Sequence, residues 1–425
     1  MRVLSVYVKR MTPAARALLP LILPSLVAGV GSALLYIGVS KAAEALQGVL
    51  WGTLPDAVGL GPYSTAWMLI MLTSIGALSG LVVWKVYGHA GPDPATTGLV
   101  ETPMDPRWVP GLLLAGGLTL AGGVSLGPEN PILAANVALA YWLGRRAFPG
   151  SPGALWVGLG AAGTVGALFG TPVAAALVLT ETMSSGKDPT PLWDRLFAPL
   201  VAAGAAGLTT SLISDQTFTT NLPEFADPGW ADLLAALVIA SVAALLGLAG
   251  IYAFPYLHRV FHAIPNPVLA LTAGGVVLGL LGALGGRLTL FKGLEQMKEL
   301  TADADAYGWG ALLLMCVVKM VALVTASAAG FRGGRIFPAV FVGVALGLSA
   351  HALVPAVHPV VGTTCGVLGV LLATTRQGWL SLFTAGVLAP DPGVLPMLCV
   401  AVLPAWLLVT GRPLLQLTED GRPKY

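Results

Sequence analysis

Charge is so sparse in this chain that its organisation can be mapped from the gaps between charged residues. Uncharged runs cover 17–40, 57–84, 108–128, 147–180, 196–214, 233–257, 260–286, 336–375 and 392–411. A membrane-crossing helix needs about 20 apolar residues. Most of these runs qualify, and 147–180 and 336–375 are long enough for two short or broken helices each. The runs 130–144, 306–318, 320–331 and 377–390 are too short to cross alone; segments of that kind belong to broken or re-entrant helices buried in protein. Only 10% of the 425 residues are charged, against roughly 25% in ordinary soluble proteins. A soluble enzyme is excluded, because its surface needs more charge than this. A disordered chain is excluded by the 56% apolar content. A net charge of +2 makes no electrostatic case for nucleic acid. The expected class is an all-α integral membrane protein.

The chain carries 54 glycines and 32 prolines. Both are tolerated in membrane helices when neighbours satisfy the freed backbone groups, and small residues let helices approach closely. The stretches 202–207 and 160–163 read as such contact faces. Arg2, Lys9, Arg10 and Arg16 precede the first apolar run, which by the positive-inside rule keeps residues 1–15 cytoplasmic. The tail 412–425 leaves no room for a soluble regulatory domain. Cys316, Cys365 and Cys399 are far apart in apolar stretches. They form no disulfide framework and no metal spacing.

Two segments repeat. Gly123, Gly127 and Pro131 match Gly330, Gly334 and Pro338 at one constant offset, and each set precedes an apolar helical pattern. Paired Gly/Pro-interrupted segments in two halves point to the binding site of a transporter. The pattern suits anion capture. Glycine permits the tight turn, and proline in the first helical turn sacrifices no needed hydrogen bond. The helix start then offers free N–H groups and a positive dipole end. Glu129 sits inside the first copy. A carboxylate at membrane depth is a functional hypothesis by default; it is expected to occupy an anion site and to swing away on protonation.

Other intramembrane charges carry less. Glu181 ends the run 147–180 and reads as an interfacial cap or a proton-path group. Arg332 and Arg335 flank the second motif, where they either draw anions to a vestibule or anchor the loop. Lys319 separates two short runs and is expected to snorkel. The histidine pairs His258/His262 and His351/His358 find no carboxylate or cysteine nearby in sequence to complete a ligand set, so neither a metal nor a cofactor is expected.

These residues together resemble the CLC family of chloride channels and transporters. Gly123-Val124-Ser125-Leu126-Gly127-Pro128-Glu129-Asn130-Pro131 is similar to its G-x-S-x-G-[RK]-E-G-P signature, and Gly333-Gly334-Arg335-Ile336-Phe337-Pro338 to its G-G-I-F-x-P signature. Gly170-Thr171-Pro172-Val173-Ala174 through Glu181 resembles the N-x-P-x-A-G helix, and Gly411-Arg412-Pro413-Leu414 the G-[KR]-P-L-Y element. Within the family the chain looks closest to a bacterial branch described only as ion-transport proteins. The resemblance implies an inverted repeat of two halves, 16–215 and 216–411, with many tilted and broken helices, and a homodimer with one pore per subunit in the bacterial inner membrane. It implies passage of chloride-like anions, passively or in exchange for protons, and no enzymatic activity. It assigns Glu129 as the gating glutamate and Gly127 and Asn130 to the anion-binding segment around it. From the second half, an ungapped alignment takes the amides of Arg335 and Ile336; a shift of one takes Ile336 and Phe337.

The departures are specific. The family's central serine falls in Gly88–Pro94, which has none, and its central tyrosine falls on Leu415. Pro128 replaces the basic residue before the gate. Thr182 stands where many exchangers place an internal proton acceptor, with Glu181 one residue earlier as the substitute. Threonine carries no proton at neutral pH, which tilts the reading toward a passive channel. Fluoride-selective or other anion/proton exchange is the alternative. An organic-substrate transporter finds few intramembrane polar groups to support it, and an intramembrane enzyme finds no nucleophile, base or metal cluster.

Overall fold

A computed structural model describes residues 12–183, 190–214, 220–225, 228–390 and 392–425. Nearly all of it is helical. In chain order the helices are α1 (Pro13–Leu18), α2 (Ile22–Gly48), α3 (Leu54–Ala57), α4 (Thr65–Lys85), α5 (Val109–Ala121), α6 (Glu129–Ala147), α7 (Gly153–Phe169), α8 (Pro172–Met183), α9 (Leu192–Ile213), α10 (Trp230–His262), α11 (Pro267–Gly285), α12 (Leu294–Ala302), α13 (Trp309–Ala329), α14 (Ile336–Leu353), α15 (Pro359–Thr375), α16 (Gly378–Val387) and α17 (Leu395–Val409). Among the described residues, eight helical stretches are long and apolar enough to cross a membrane; this is a multi-pass membrane protein. The long uncharged runs break where local chemistry dictates. Gly170 takes a left-handed φ of 66° and ends α7 before Pro172 opens α8. Pro359 opens α15 behind His358, whose ring accepts the Val360 N–H at 3.4 Å. The boundary expected near 215 and most of 1–15 lie outside the described residues.

The chain divides into two compact units. The first comprises Met1–Gly38, Thr102–Pro106 and Ile132–Thr217. In it α7 and α9 pack against each other, with Trp156, Leu159, Ala198 and Ala202 as a buried cluster. The small-residue faces do what their composition predicts: a Cβ on Gly29 would stand 2.1 Å from the Ala202 carbonyl oxygen, and one on Gly166 2.4 Å from that of Ala203. Asn136 is buried there and donates its amide to the Thr164 hydroxyl at 2.9 Å.

The second unit comprises Val39–Glu101, Arg107–Pro131 and Phe218–Tyr425. Its tightest pairs are α4 with α11 and α14 with α15. The α14–α15 pair is glycine-mediated, since a Cβ on Gly347 would lie 2.2 Å from the Gly362 backbone. Both helices are buried almost throughout.

One element differs from the sequence reading for a clear reason. Lys319 does not divide two short segments; it lies inside the single 21-residue helix α13. Nor does it snorkel: its side chain is fully buried. Its ammonium donates to the carbonyls of Thr289, Leu290 and Phe291 at 3.0, 2.8 and 2.7 Å, and lies over the Phe341 ring. Those carbonyls belong to the irregular segment between α11 and α12, and irregular backbone at membrane depth needs donors. The segment in turn supports the first Gly-rich motif. The Ser125 hydroxyl donates to the Thr289 carbonyl at 2.8 Å and the Phe291 N–H donates to the Gly123 carbonyl at 3.0 Å.

Two predictions follow from this packing, both read as thermal unfolding midpoints of detergent-purified protein at one scan rate. Lys319→Met strips the Leu290 and Phe291 carbonyls of their donor, leaves that of Thr289 to Ser125 alone, and lowers stability by on the order of 3 kcal/mol. Gly347→Ala forces α14 from α15 and lowers it by about 1–3 kcal/mol, while Gly38→Ala, with nothing within 4 Å of the added methyl, leaves the midpoint unchanged or slightly raised. A Gly347→Ala protein as stable as the parent would show that this backbone approach can relax freely.

Candidate anion-gating site

The two repeated motifs meet in the second unit, and they meet through their matched residues. Gly123 and Gly330 both adopt left-handed backbone, with φ of 88° and 93°. Each follows the end of a helix, α5 and α13 respectively. Glycine is the residue that reaches this region without a steric penalty. Gly127 and Gly334 pair with each other as an antiparallel bridge: the Gly127 N–H donates to the Gly334 carbonyl at 2.8 Å, and the Gly334 N–H to the Gly127 carbonyl at 2.6 Å. Pro131 and Pro338 are each the third residue of the following helix, α6 and α14. The bridge therefore brings two helix starts to one place, and helix starts favour negative charge.

Glu129, the first residue of α6, supplies that charge. Its side chain is 1% exposed, and its Oε1 accepts the Phe337 N–H at 2.7 Å. Its Oε2 is buried without a hydrogen-bond partner among the described residues. Both bridging glycines make room for it: a Cβ on Gly127 would stand 2.1 Å from Oε2, and one on Gly334 1.8 Å. Gly127 thus contributes space, since its N–H is spent on the bridge. The amide that meets the carboxylate is that of Phe337, the second residue of α14. Ile336 precedes it, and both side chains are buried. Asn130 is half-buried in the first turn of α6.

Arg335 and Arg332 both serve as anchors. The Arg335 guanidinium donates to the Leu415 and Pro94 carbonyls and lies 5.4 Å from the Phe254 ring centroid. Arg332, 7% exposed, donates to the carbonyls of His89, Ala90, Gly91 and Gly330 at 2.9–3.1 Å. The first three belong to a left-handed run, with φ of 75°, 52°, 56° and 81° at Gly88, His89, Ala90 and Gly91. Non-glycine residues rarely enter this region, and Arg332 holds the run in place. Leu415 is buried, and the tail folds onto the same loop: the Leu417 N–H donates to the Ala95 carbonyl at 2.8 Å and the Gln416 amide to that of Thr96 at 2.9 Å.

In the first unit, Glu181 is half-buried in the last turn of α8. Thr182 follows it in the helix, and its side chain lies outside the described residues.

One group was invisible in the sequence. The pair His258/His262, read there without a completing carboxylate, gains one from Asp93, 165 positions from His258. Asp93 Oδ2 lies 2.9 Å from His258 Nε2 and 3.2 Å from His262 Nε2, while Oδ1 accepts the Ala95 N–H at 2.9 Å. Burial raises the Asp93 carboxyl, but the hydrogen bonds from both imidazoles and the Ala95 amide outweigh it and hold the group well below the usual carboxylate range. The i, i+4 histidines were the signal available in sequence; nothing local pointed to Asp93.

Comparison with known proteins agrees with this architecture. A family model described as voltage gated chloride channel matches residues 75–410. The "Putative ion-transport protein YfeO" of Salmonella typhimurium is 49% identical over 403 residues, covering 95% of this chain and 98% of the relative. The Escherichia coli protein of the same name is 47% identical over 412 residues, covering 97% of each. The fold is also that of solved structures: a CLC-type fluoride/proton antiporter (TM-score 0.76, 21% identity, 95% of this chain and 98% of that one) and a slow cyanobacterial Cl-/H+ antiporter (TM-score 0.79, 16% identity, 94% and 95%). With the family model spanning most of its length and near-half identity across almost all of it, the chain belongs to the voltage-gated chloride channel, or CLC, family.

Proposed function

We propose that the protein passes chloride-like anions across the bacterial inner membrane through a pathway closed by the Glu129 carboxylate, working as a homodimer of two-halved subunits (16–215 and 216–411). The observation that carries this reading is the Glu129–Phe337 contact. A side-chain anion occupies a buried helix start where its hydrogen bond comes from a backbone amide, with the Lys292 ammonium near enough to act on it only through its field. Such a site binds a small anion weakly enough to release it, and a carboxylate sitting in it blocks it. Protonation removes the charge, weakens the hold of the Phe337 amide and frees the site. Gly127, Asn130, Ile336 and Phe337 form its walls, and Arg335 braces the second motif. Thr182 cannot shuttle protons at neutral pH, which favours passive flux over coupled exchange.

A second reading, fluoride/proton exchange, is favoured by the central positions. Neither Gly88–Pro94 nor Leu415 supplies a hydroxyl, so donors to a central chloride are missing, and Glu181 retains a carboxylate beside Thr182.

Proteoliposomes at clamped voltage separate these readings. Flux in the parent protein rises as pH falls, because the proton opens the site. Glu129→Gln, which mimics the protonated form, is expected to hold flux at the high level with no pH dependence. Undiminished pH dependence in that variant would remove Glu129 from gating. Uphill proton movement driven by a chloride or fluoride gradient would replace the passive reading with exchange, and Glu181→Gln would then be expected to uncouple it.

A further inference from the structure

We infer that Asp93, His258 and His262 form a binding site for a divalent transition-metal ion of the zinc type, on the loop that Arg332 and Arg335 also grip. Three potential ligand atoms, Asp93 Oδ2 and the Nε2 atoms of both histidines, all lie within 4.8 Å of one another. The carboxylate–imidazole separations of 2.9 and 3.2 Å are close to the roughly 3.3 Å between neighbouring ligands around a tetrahedral zinc with bonds near 2.0–2.1 Å. A metal could therefore enter with small side-chain adjustments.

The surrounding hydrogen bonds are those a metal site needs. His262 Nδ1 faces the His258 carbonyl at 3.1 Å. With a metal in place of the proton between Nε2 and the carboxylate, the ring proton stays on Nδ1, where this carbonyl accepts it. That backbone contact is the usual way a ligating histidine is oriented. Asp93 is oriented likewise through the Ala95 N–H on its other oxygen. The imidazoles are stacked with centroids 3.7 Å apart, as i, i+4 residues of α10. A metal entering here would replace the protons that the two imidazoles now direct at Asp93 Oδ2, so its uptake would release protons.

The donor set and its charge surroundings select the ion. Two imidazoles and one carboxylate suit zinc, cobalt, nickel or copper better than magnesium or calcium, which prefer oxygen. Arg332 and Arg335 lie close enough for their charges to act on Asp93; these charges oppose any cation, so binding rests on coordination by the two imidazoles. Entry is open, since the His262 side chain is 46% exposed and Asp93 28%. Three protein ligands leave a fourth position for water or an anion. A bound ion would fasten the loop that follows the left-handed run 88–91 to the end of α10, independently of whether Glu129 gates the pathway.

The test uses the full-length protein in detergent, with zinc chloride titrated calorimetrically and by thermal midpoint. One saturable site per chain and a zinc-dependent rise in midpoint are expected, with no response to magnesium. His262→Ala and Asp93→Asn should each weaken zinc binding by about tenfold or more and abolish the midpoint rise. His351→Ala, whose ring meets the Val357 carbonyl instead, should bind like the parent. His262 is half-exposed at the helix end, so its alanine variant keeps the test valid even if Asp93→Asn does not fold. Absence of saturable zinc binding by the parent protein, or equal binding by His262→Ala, would overturn the inference.

Discussion

Two peptide groups hold this site together. The reciprocal hydrogen bonds between Gly127 and Gly334 satisfy four backbone groups that the interrupted helices would otherwise leave bare at membrane depth, where an unpaired polar group is expensive. They also fix the geometry from which the rest follows. Because each glycine stands two positions before the start of its helix, pairing them sets the start of α6 beside the start of α14. The Glu129 carboxylate then has the amides at the start of α14 within reach, that of Phe337 at 2.7 Å, and the space of two missing side chains to lie in. A methyl group on either glycine would collide with that carboxylate.

Irregular backbone elsewhere in the second unit is stabilised by buried cations that bind carbonyls rather than carboxylates. Lys319 gathers three, Arg332 four and Arg335 two. Burying a charge is costly unless its donors are used. Here the segments 286–293, 88–94 and 412–417 present outward-turned carbonyls that need donors. Lysine's three donors and arginine's planar fork of five match this demand without introducing a hydrogen-bond acceptor. The irregular segments and the buried cations thus neutralise each other's penalties, and neither would persist alone.

Local chemistry made much of this legible in advance. Runs too long for one helix, 147–180 and 336–375, break at Gly170 and before Pro359 as glycine and proline require. The Gly–Gly–Pro spacing located both motif loops because the turns need glycine's backbone freedom and the helix starts tolerate proline. Glu129 stood out because a carboxylate in that setting has few structural excuses. What stayed hidden depends on partners distant in sequence. Lys319 reads as a break in an apolar run, since nothing around it reveals the three carbonyls some 30 residues earlier. Arg332 reads equally as lure or anchor until its guanidinium is seen donating to the carbonyls of His89, Ala90 and Gly91. Asp93 meets its histidines only once α10 folds back to the loop. Charge scarcity shows which residues are unusual; only the fold shows what satisfies them.

The Glu129 contact also bears on how the site responds to its surroundings. The Phe337 amide already holds a carboxyl group, tethered by a few rotatable bonds. Its effective concentration at the amide is set by the chain, at least in the millimolar range typical of short tethers, and it does not fall on dilution. On the proposed reading, a free anion entering the same position would compete against this fixed internal rival. Occupancy by outside ions would then be governed by a ratio, their concentration against that of a ligand the protein carries with it. The threshold for that exchange is written into the length of one side chain.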